Sequence, residues 1–314
     1  MRTAFHPAKI GDIIYSLPAI HRRGGVECFF IKRPKVAEYL KPLLEKQPYI
    51  GSVVCSKEPP ENCTIDFNLY QSFYRLMIRP DLINLNCMVA GVRTHHFPLK
   101  LSGITLHSSH VKYMDGQHID LDEHRDLQQW RPNQCWLTNI EPIHKSDIII
   151  NMTDRYHDWD NSKHDFRFFD YTLLKDYDCG FIGLDNEYKL FCDRYGFEPK
   201  RILVSNALEV AQYISGSKLF VGAASSAKAI AEGLKHPTLM EISKEYPDDL
   251  PKHKHGHYFI NKQLIEYYLN NDIEKPNFSE FTEEIKVGLD GFMNWQIKKL
   301  WYNTEKEFIL CLIF

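Results

Sequence analysis

Residues 202–242 read ILVSNALEVAQYISGSKLFVGAASSAKAIAEGLKHPTLMEI. Ile202-Leu203-Val204 is an apolar triplet of the kind that fills a buried strand. Asn206 then stands where a helix N-cap belongs, with Glu209 three residues on, the spacing of a capping box. Residues 218–221 predict another strand, 226–234 an alanine-rich helix, and 238–242 a third strand. Strands that alternate with helices are joined by crossovers, so they run parallel and carry helices on both faces of one sheet. That is an α/β fold.

The pattern continues upstream. Residues 147–152 predict a strand, 153–165 a polar loop, 168–177 a helix, 180–183 a strand, and 187–195 a helix ended by Gly196. The first half repeats it: strand 3–5, helix 12–23 with a kink expected at Pro18, strand 26–31, helix 36–46, then strands 52–55 and 64–67. No assignment is made for 80–109. Two such halves predict two Rossmann-like domains, 1–142 and 143–274, followed by a helical segment over 275–314 that packs back on the first.

The chain has 314 residues, a length that suits two domains. Hydrophobic residues are 44% and charged residues 25%, ordinary globular usage that excludes a disordered chain. No apolar run approaches the roughly 20 residues that span a bilayer, and the N-terminus lacks the apolar stretch of a signal peptide, so a cytoplasmic protein is expected. The eight cysteines are scattered without a C-x-x-C pair, which argues against structural zinc or a dithiol. Residues 1–140 carry 17 Lys and Arg against 13 Asp and Glu, while 141–314 carry 21 against 28. The basic first half is too weakly charged to name a partner.

Ligands of parallel sheets bind beyond the carboxyl ends of the strands, which singles out three loops. The first contains Lys9, Gly11 and Asp12. Its aspartate reads as a helix cap or as a general base. The second is Gly222-Ala223-Ala224-Ser225-Ser226. There small residues and two hydroxyls at a helix start suit a diphosphate, or simply make a capped turn. The third holds Arg155, able to grip a phosphate, and Tyr156, able to stack on a ring. Asp158-Trp159-Asp160 and His253-x-His255-x-His257 invite a metal, but both also fit exposed polar loops, and none is expected. No dinucleotide or Walker glycine motif is present.

Gly11-Asp12-Ile13-Ile14-Tyr15-Ser16-Leu17-Pro18-Ala19-Ile20 resembles the N-terminal signature of glycosyltransferase family 9, the lipopolysaccharide heptosyltransferases. Residues 207–241 are similar to the family's C-terminal pattern of helix, strand ending in Phe-Val-Gly, small-residue loop and alanine-rich helix. The resemblance implies a GT-B fold, with the acceptor on the first domain and a nucleotide-diphosphate sugar on the second. It implies inverting sugar transfer without a metal or other cofactor. The resemblance makes Asp12 the base, Ser225 a donor-phosphate residue beside Gly222 and Ser226 of the same loop, and Glu187 the acid near the ribose. The acceptor is a hydroxyl on a glycan, a lipid-linked glycan or a modified nucleic acid. The family's Asp-Ser/Thr-Gly-x-x-His run stands here as Ala224-Ser225-Ser226-Ala227-Lys228-Ala229, lacking both Asp and His. That departure points to a donor other than ADP-heptose. It also keeps open a non-catalytic sugar-nucleotide or glycan-binding protein.

Overall fold

The computed structural model describes residues 1–68, 134–153, 170–241, 255–257 and 260–270. Among them the chain divides into two compact units. One comprises Met1–Ala37 with 48–68, and the other Glu38–Gln47 with the described residues from 134 onward.

The first unit is built on β1 (Thr3–His6), α1 (Ile10–Arg22), β2 (Val26–Ile31), the start of α2 (Pro34–Leu44), β3 (Ile50–Cys55) and β4 (Ile65–Asp66). The strands are parallel in the order β3-β2-β1-β4. All of β1 is buried, the mark of a central strand covered on both faces. Helix α1 buries Ile13, Ile14, Leu17 and Ile20 at helical spacing. It starts two residues earlier than expected because the Asp12 side chain reaches back to the Lys9 amide. The helix runs through Pro18 rather than ending there.

The second unit holds β5 (Ile148–Asn151), β6 (Cys179–Phe181), α3 (Asp185–Tyr195), β7 (Lys200–Arg201), α4 (Ala207–Ser215), β8 (Leu219–Gly222), α5 (Ser226–Leu234), β9 (Thr238–Met240), β10 (Gly256–His257) and α6 (Lys262–Leu269). Its six parallel strands stand in the order β10-β9-β8-β5-β6-β7. Numbered within the unit and read from β7, this is the doubly wound order 3-2-1-4-5-6. Ile148, Ile150, Phe181, Leu219, Val221 and Leu239 form the middle of its core. Each such side chain contributes roughly 1.5–3 kcal/mol by leaving water.

Segment 134–142, assigned from sequence to the first domain, groups with this second unit. There the Trp136 and Leu137 amides both donate to Gly233 O, at 3.1 Å each. Buried Lys228 and Glu232 lie on α5, and Lys235 pairs with Glu232 at 2.8 Å while its Nζ sits 4.0 Å from the Trp136 ring centre. Paired charge makes this interior tolerable.

Three local expectations are corrected. The helix expected over 168–177 is, among its described residues, a four-residue 3-10 turn at Tyr171–Leu174. Asp170 caps it through the Thr172 amide, and bonds to the third residue back close it before β6 begins. The strand expected at 202–204 is Lys200–Arg201, and only the Ile202 amide extends the ladder, to Phe181 O. Leu203 leaves the sheet and is 74% exposed. The tract around His255 and His257 is not a fully exposed loop: Gly256–His257 is an edge strand beside β9. Helix α6 carried its own signal, an Asn261 cap ahead of Leu264, Ile265 and Tyr268 at helical spacing. The proposed 275–314 segment lies outside the described residues. Among those that are described, no helix is long and apolar enough to cross a membrane.

Candidate functional site

In each sheet the chain reverses its direction of travel beside the first strand, and at such a switch point the loops part and leave a crevice. In the first sheet this lies between β1 and β4. Lys9, Gly11 and Asp12 all stand there, on the loop from β1 and the first turn of α1. Lys9 is exposed, while Gly11 and Asp12 are half-buried. Asp12 Oδ2 accepts the Lys9 amide at 3.3 Å, so the carboxylate is the third residue of the helix rather than its cap. A helix N-terminus favours negative charge at that place. Asp66, at the end of β4, accepts the Asn68 amide at 2.8 Å. The sequence reading missed Asp66.

In the second sheet the switch lies between β5 and β8. Gly222 ends β8 opposite Asn151, the last residue of β5. A Cβ on Gly222 would run into Asn151 O, so the position accepts only glycine without a backbone shift. Ala223 and Ala224 follow, both buried. Ser225 caps α5 by accepting the Lys228 amide at 3.1 Å, and Ser226 opens the helix. The expected small-residue turn at a helix start is therefore in place, with the amide groups of the first turn beside it.

Asn151 adds a feature that no sequence motif announces. It is 5% exposed and its Nδ2 donates to Ile182 O at 2.6 Å, tying the ends of β5 and β6 together. Its Oδ1, and Thr153 Oγ1 two residues on, are buried atoms with no hydrogen-bond partner among the described residues. Buried polar atoms ordinarily have partners, and these two, unpaired among the described residues, stand at the switch point. The available signal was the polar break after Ile148-Ile149-Ile150.

Glu187 lies across β5 from the small-residue loop, in the first turn of α3, and is buried. Its Oε2 accepts the Leu184 amide at 2.8 Å. Arg201 braces the same turn, donating to Gly183 O and pairing with Asp185 at 3.0 Å. Leu184 and Leu203, at the carboxyl ends of β6 and β7, are 65% and 74% exposed. Beyond β9, buried Glu241 accepts the Tyr171 hydroxyl at 3.1 Å. Burial, then the charge of Glu241, drives the Tyr171 phenol well above its ordinary range.

The second sheet thus brings Gly222, Ser225, Ser226 and Glu187 to one edge. Arg155, with Tyr156 and the Asp158-Trp159-Asp160 run, lies outside the described residues. Among the described residues no group of three or more His, Cys, Asp or Glu is placed to hold a metal.

No protein-family model matches this sequence, and no curated protein matches it. Solved structures do resemble it. One is E. coli ADP-heptose lps heptosyltransferase II, 14% identical, covering 86% of this chain and 98% of that one, with a TM-score of 0.44. Another is E. coli heptosyltransferase WaaC with ADP-2-deoxy-2-fluoro heptose, 13% identical over 76% and 88%, TM-score 0.43. A third is the glycosyl transferase family 9 protein from Veillonella parvula DSM 2008, 10% identical over 76% and 79%, TM-score 0.41. At these scores no residue role passes from them to this chain.

Proposed function

We propose that this protein is a glycosyltransferase that moves a sugar from a nucleotide-diphosphate donor to an acceptor hydroxyl. The observation that carries the reading is the switch point of the second sheet. Two orphaned buried polar atoms, Asn151 Oδ1 and Thr153 Oγ1, stand at the end of the strand paired with the one that leads through Gly222 and Ser225 into α5. A diphosphate takes the amides of the α5 first turn, as anions do at helix N-termini. Asn151 Oδ1 can only accept, so it takes a hydroxyl of the donor. Leu184 and Leu203 give the nucleobase an apolar seat, and Glu187 faces the ribose.

The ten-residue likeness around Gly11-Asp12 supplies the rest of the mechanism. Asp12 takes the proton of the acceptor hydroxyl. The oxygen then attacks the anomeric carbon from the side opposite the diphosphate, inverting that centre as the bond to the leaving phosphate breaks. The α5 amides and Arg155 stabilise the departing charge, the role a metal plays elsewhere. The first unit takes the acceptor and the second the donor. Buried Ala224 and Ala229, where the resembled family has Asp and His, favour a second reading, a protein that binds a nucleotide sugar without transferring it.

A thermal-shift panel of ADP-, UDP-, GDP- and CMP-sugars tests donor binding, because a ligand of the folded state alone raises the melting temperature. At least one member is expected to stabilise the wild type and not Asn151→Leu. No response across the panel overturns the donor site. Binding with no release of nucleotide, in the presence of glycan acceptors, selects the second reading.

A further inference from the structure

The loop between β1 and α1 is held by a side chain that the proposed chemistry does not use. His6 is the last residue of β1, fully buried, with its ring stacked on Phe67 at 4.9 Å between centroids and 26° between planes. Its Nδ1 lies 3.2 Å from the Ala8 amide nitrogen. The amide donates, so Nδ1 is the acceptor and the ring proton resides on Nε2. The backbone on both sides is fixed as well. His6 O accepts the Lys32 amide at 3.1 Å, and the Phe67 amide donates to Phe5 O at 2.9 Å.

The residues after Ala8 give that bond its consequence. The next amide, of Lys9, donates to Asp12 Oδ2, and Lys9 O accepts the Ile13 amide at 3.1 Å. Arg33 Nε reaches Pro7 O at 3.2 Å from the other side. A rigid, stacked ring thus sets the path of the loop, and the loop sets the carboxylate. We infer that His6 is a positioning residue: by accepting the Ala8 amide it holds the turn from Lys9 to Asp12 in the orientation that points the carboxylate at the acceptor hydroxyl. The inference rests on the reading of Asp12 as the base. A histidine that only fills the core would serve through its ring and not through Nδ1.

Two substitutions separate ring from acceptor. His6→Phe keeps a stackable ring and removes the acceptor, whereas His6→Asn puts a carbonyl oxygen near the place of Nδ1 and removes most of the ring. The first readout needs no substrate. In the full-length chain, amide exchange of the peptide spanning 7–12 is expected to speed up at least about tenfold in His6→Phe and to stay within about threefold of wild type in His6→Asn. Should His6→Phe fail to fold, His6→Leu replaces it with the same expectations. Unchanged exchange in the variant without an acceptor, or equal acceleration in both, overturns the inference.

The second readout is release of nucleoside diphosphate from UDP-glucose, ADP-glucose or GDP-mannose. His6→Phe is expected to lower kcat at least about tenfold with KM for the donor little changed, and His6→Asn to recover it. Combined with Asp12→Asn, it is expected to add nothing, because both act on one group. Effects that multiply overturn the route through Asp12. Near-normal turnover in Asp12→Asn alone overturns the base instead, and the exchange result then still decides whether His6 sets the loop.

Discussion

The two sheets share one winding and end in different chemistry. Both reverse beside their first strand, between β1 and β4 in one and between β5 and β8 in the other. The first crevice is entered by a charged loop with Lys9 and Asp12, braced by His6 and Arg33. The second is entered by Gly222-Ala223-Ala224-Ser225, which carries no charge and brings backbone close to backbone. A carboxylate on a braced loop suits the removal of a proton. Bare amides beside small side chains suit an anion. Topology fixes where such loops gather, and their side chains decide what they do.

The sharpest test of that contrast is Gly222→Ala. The added Cβ meets a backbone oxygen, Asn151 O, which cannot swing away. Destabilisation of about 3 kcal/mol is expected, the upper end of the usual range for overpacking. It is read from urea unfolding. A loss below about 0.5 kcal/mol would show that the two strand ends separate freely, and the close approach would no longer explain the loop.

Next in size is Asp12→Asn. Asparagine retains an oxygen that can accept the Lys9 amide, so the fold keeps its first turn. Turnover is expected to fall at least about 100-fold, equivalent to roughly 2.7 kcal/mol, with donor affinity unchanged. Near-normal turnover with a lowered melting temperature would make this aspartate a cap and nothing more. The contrast between the two crevices would then lose its catalytic half.

Much of this layout is legible in residues 1–60 and 200–240. Aliphatic runs such as Val26 to Ile31 and the Asn206 cap state their structure locally, and both are found. The Ser226–Leu234 helix matches its expected bounds. Failures come where distant residues decide. Ile202-Leu203-Val204 has the composition of a strand, yet its partner β6 ends at Phe181, so Leu203 has nothing to pair with. Asn151 and Thr153, proposed to meet the donor, are illegible in the sequence because their meaning lies in lacking a partner, a property of the folded neighbourhood alone. His6 is illegible for the same reason, since Phe67 stacks on it from 61 residues away in sequence.

The opposite, amino-terminal edge of the second sheet is a control without a proposed ligand. Cys179 opens β6 there, and burial, aided by Asp178, pushes its thiol from 9.0 up to about 12. A raised folded value means stability that is complete below pH 9 and is lost as pH climbs toward 12. Between pH 8 and 10 this thiol's share of the loss is about 1.4 kcal/mol, and the buried tyrosines, raised above their ordinary value, add their own loss toward pH 10. Cys179→Ala is expected to flatten the slope of unfolding free energy over that interval, while donor affinity stays at its wild-type value. An unaltered slope would remove this thiol from the alkaline response.

The smallest effect separates a cap that only folds from a cap that also binds. Asn206 and Ser225 do the same structural work on successive helices. Asn206 Oδ1 accepts the Leu208 and Glu209 amides at 3.0 and 3.1 Å, and Ser225 Oγ accepts the Lys228 amide at 3.1 Å. Replacing either by alanine is expected to lower stability by about 1 kcal/mol, the usual loss for an N-cap. Helix α4, which Asn206 caps, follows β7 at the edge of the sheet, whereas α5 follows β8 at the switch point. Only Ser225→Ala therefore removes a hydroxyl from the proposed diphosphate seat. Its donor affinity is expected to fall by a further factor of about 5, the scale of one hydrogen bond to a charged group partly replaced by water. Calorimetric titration of both variants with the same nucleotide sugar reads the difference directly. Equal affinities would leave Ser225 as a cap like Asn206, and the diphosphate would have to rest on the backbone amides and Arg155 alone.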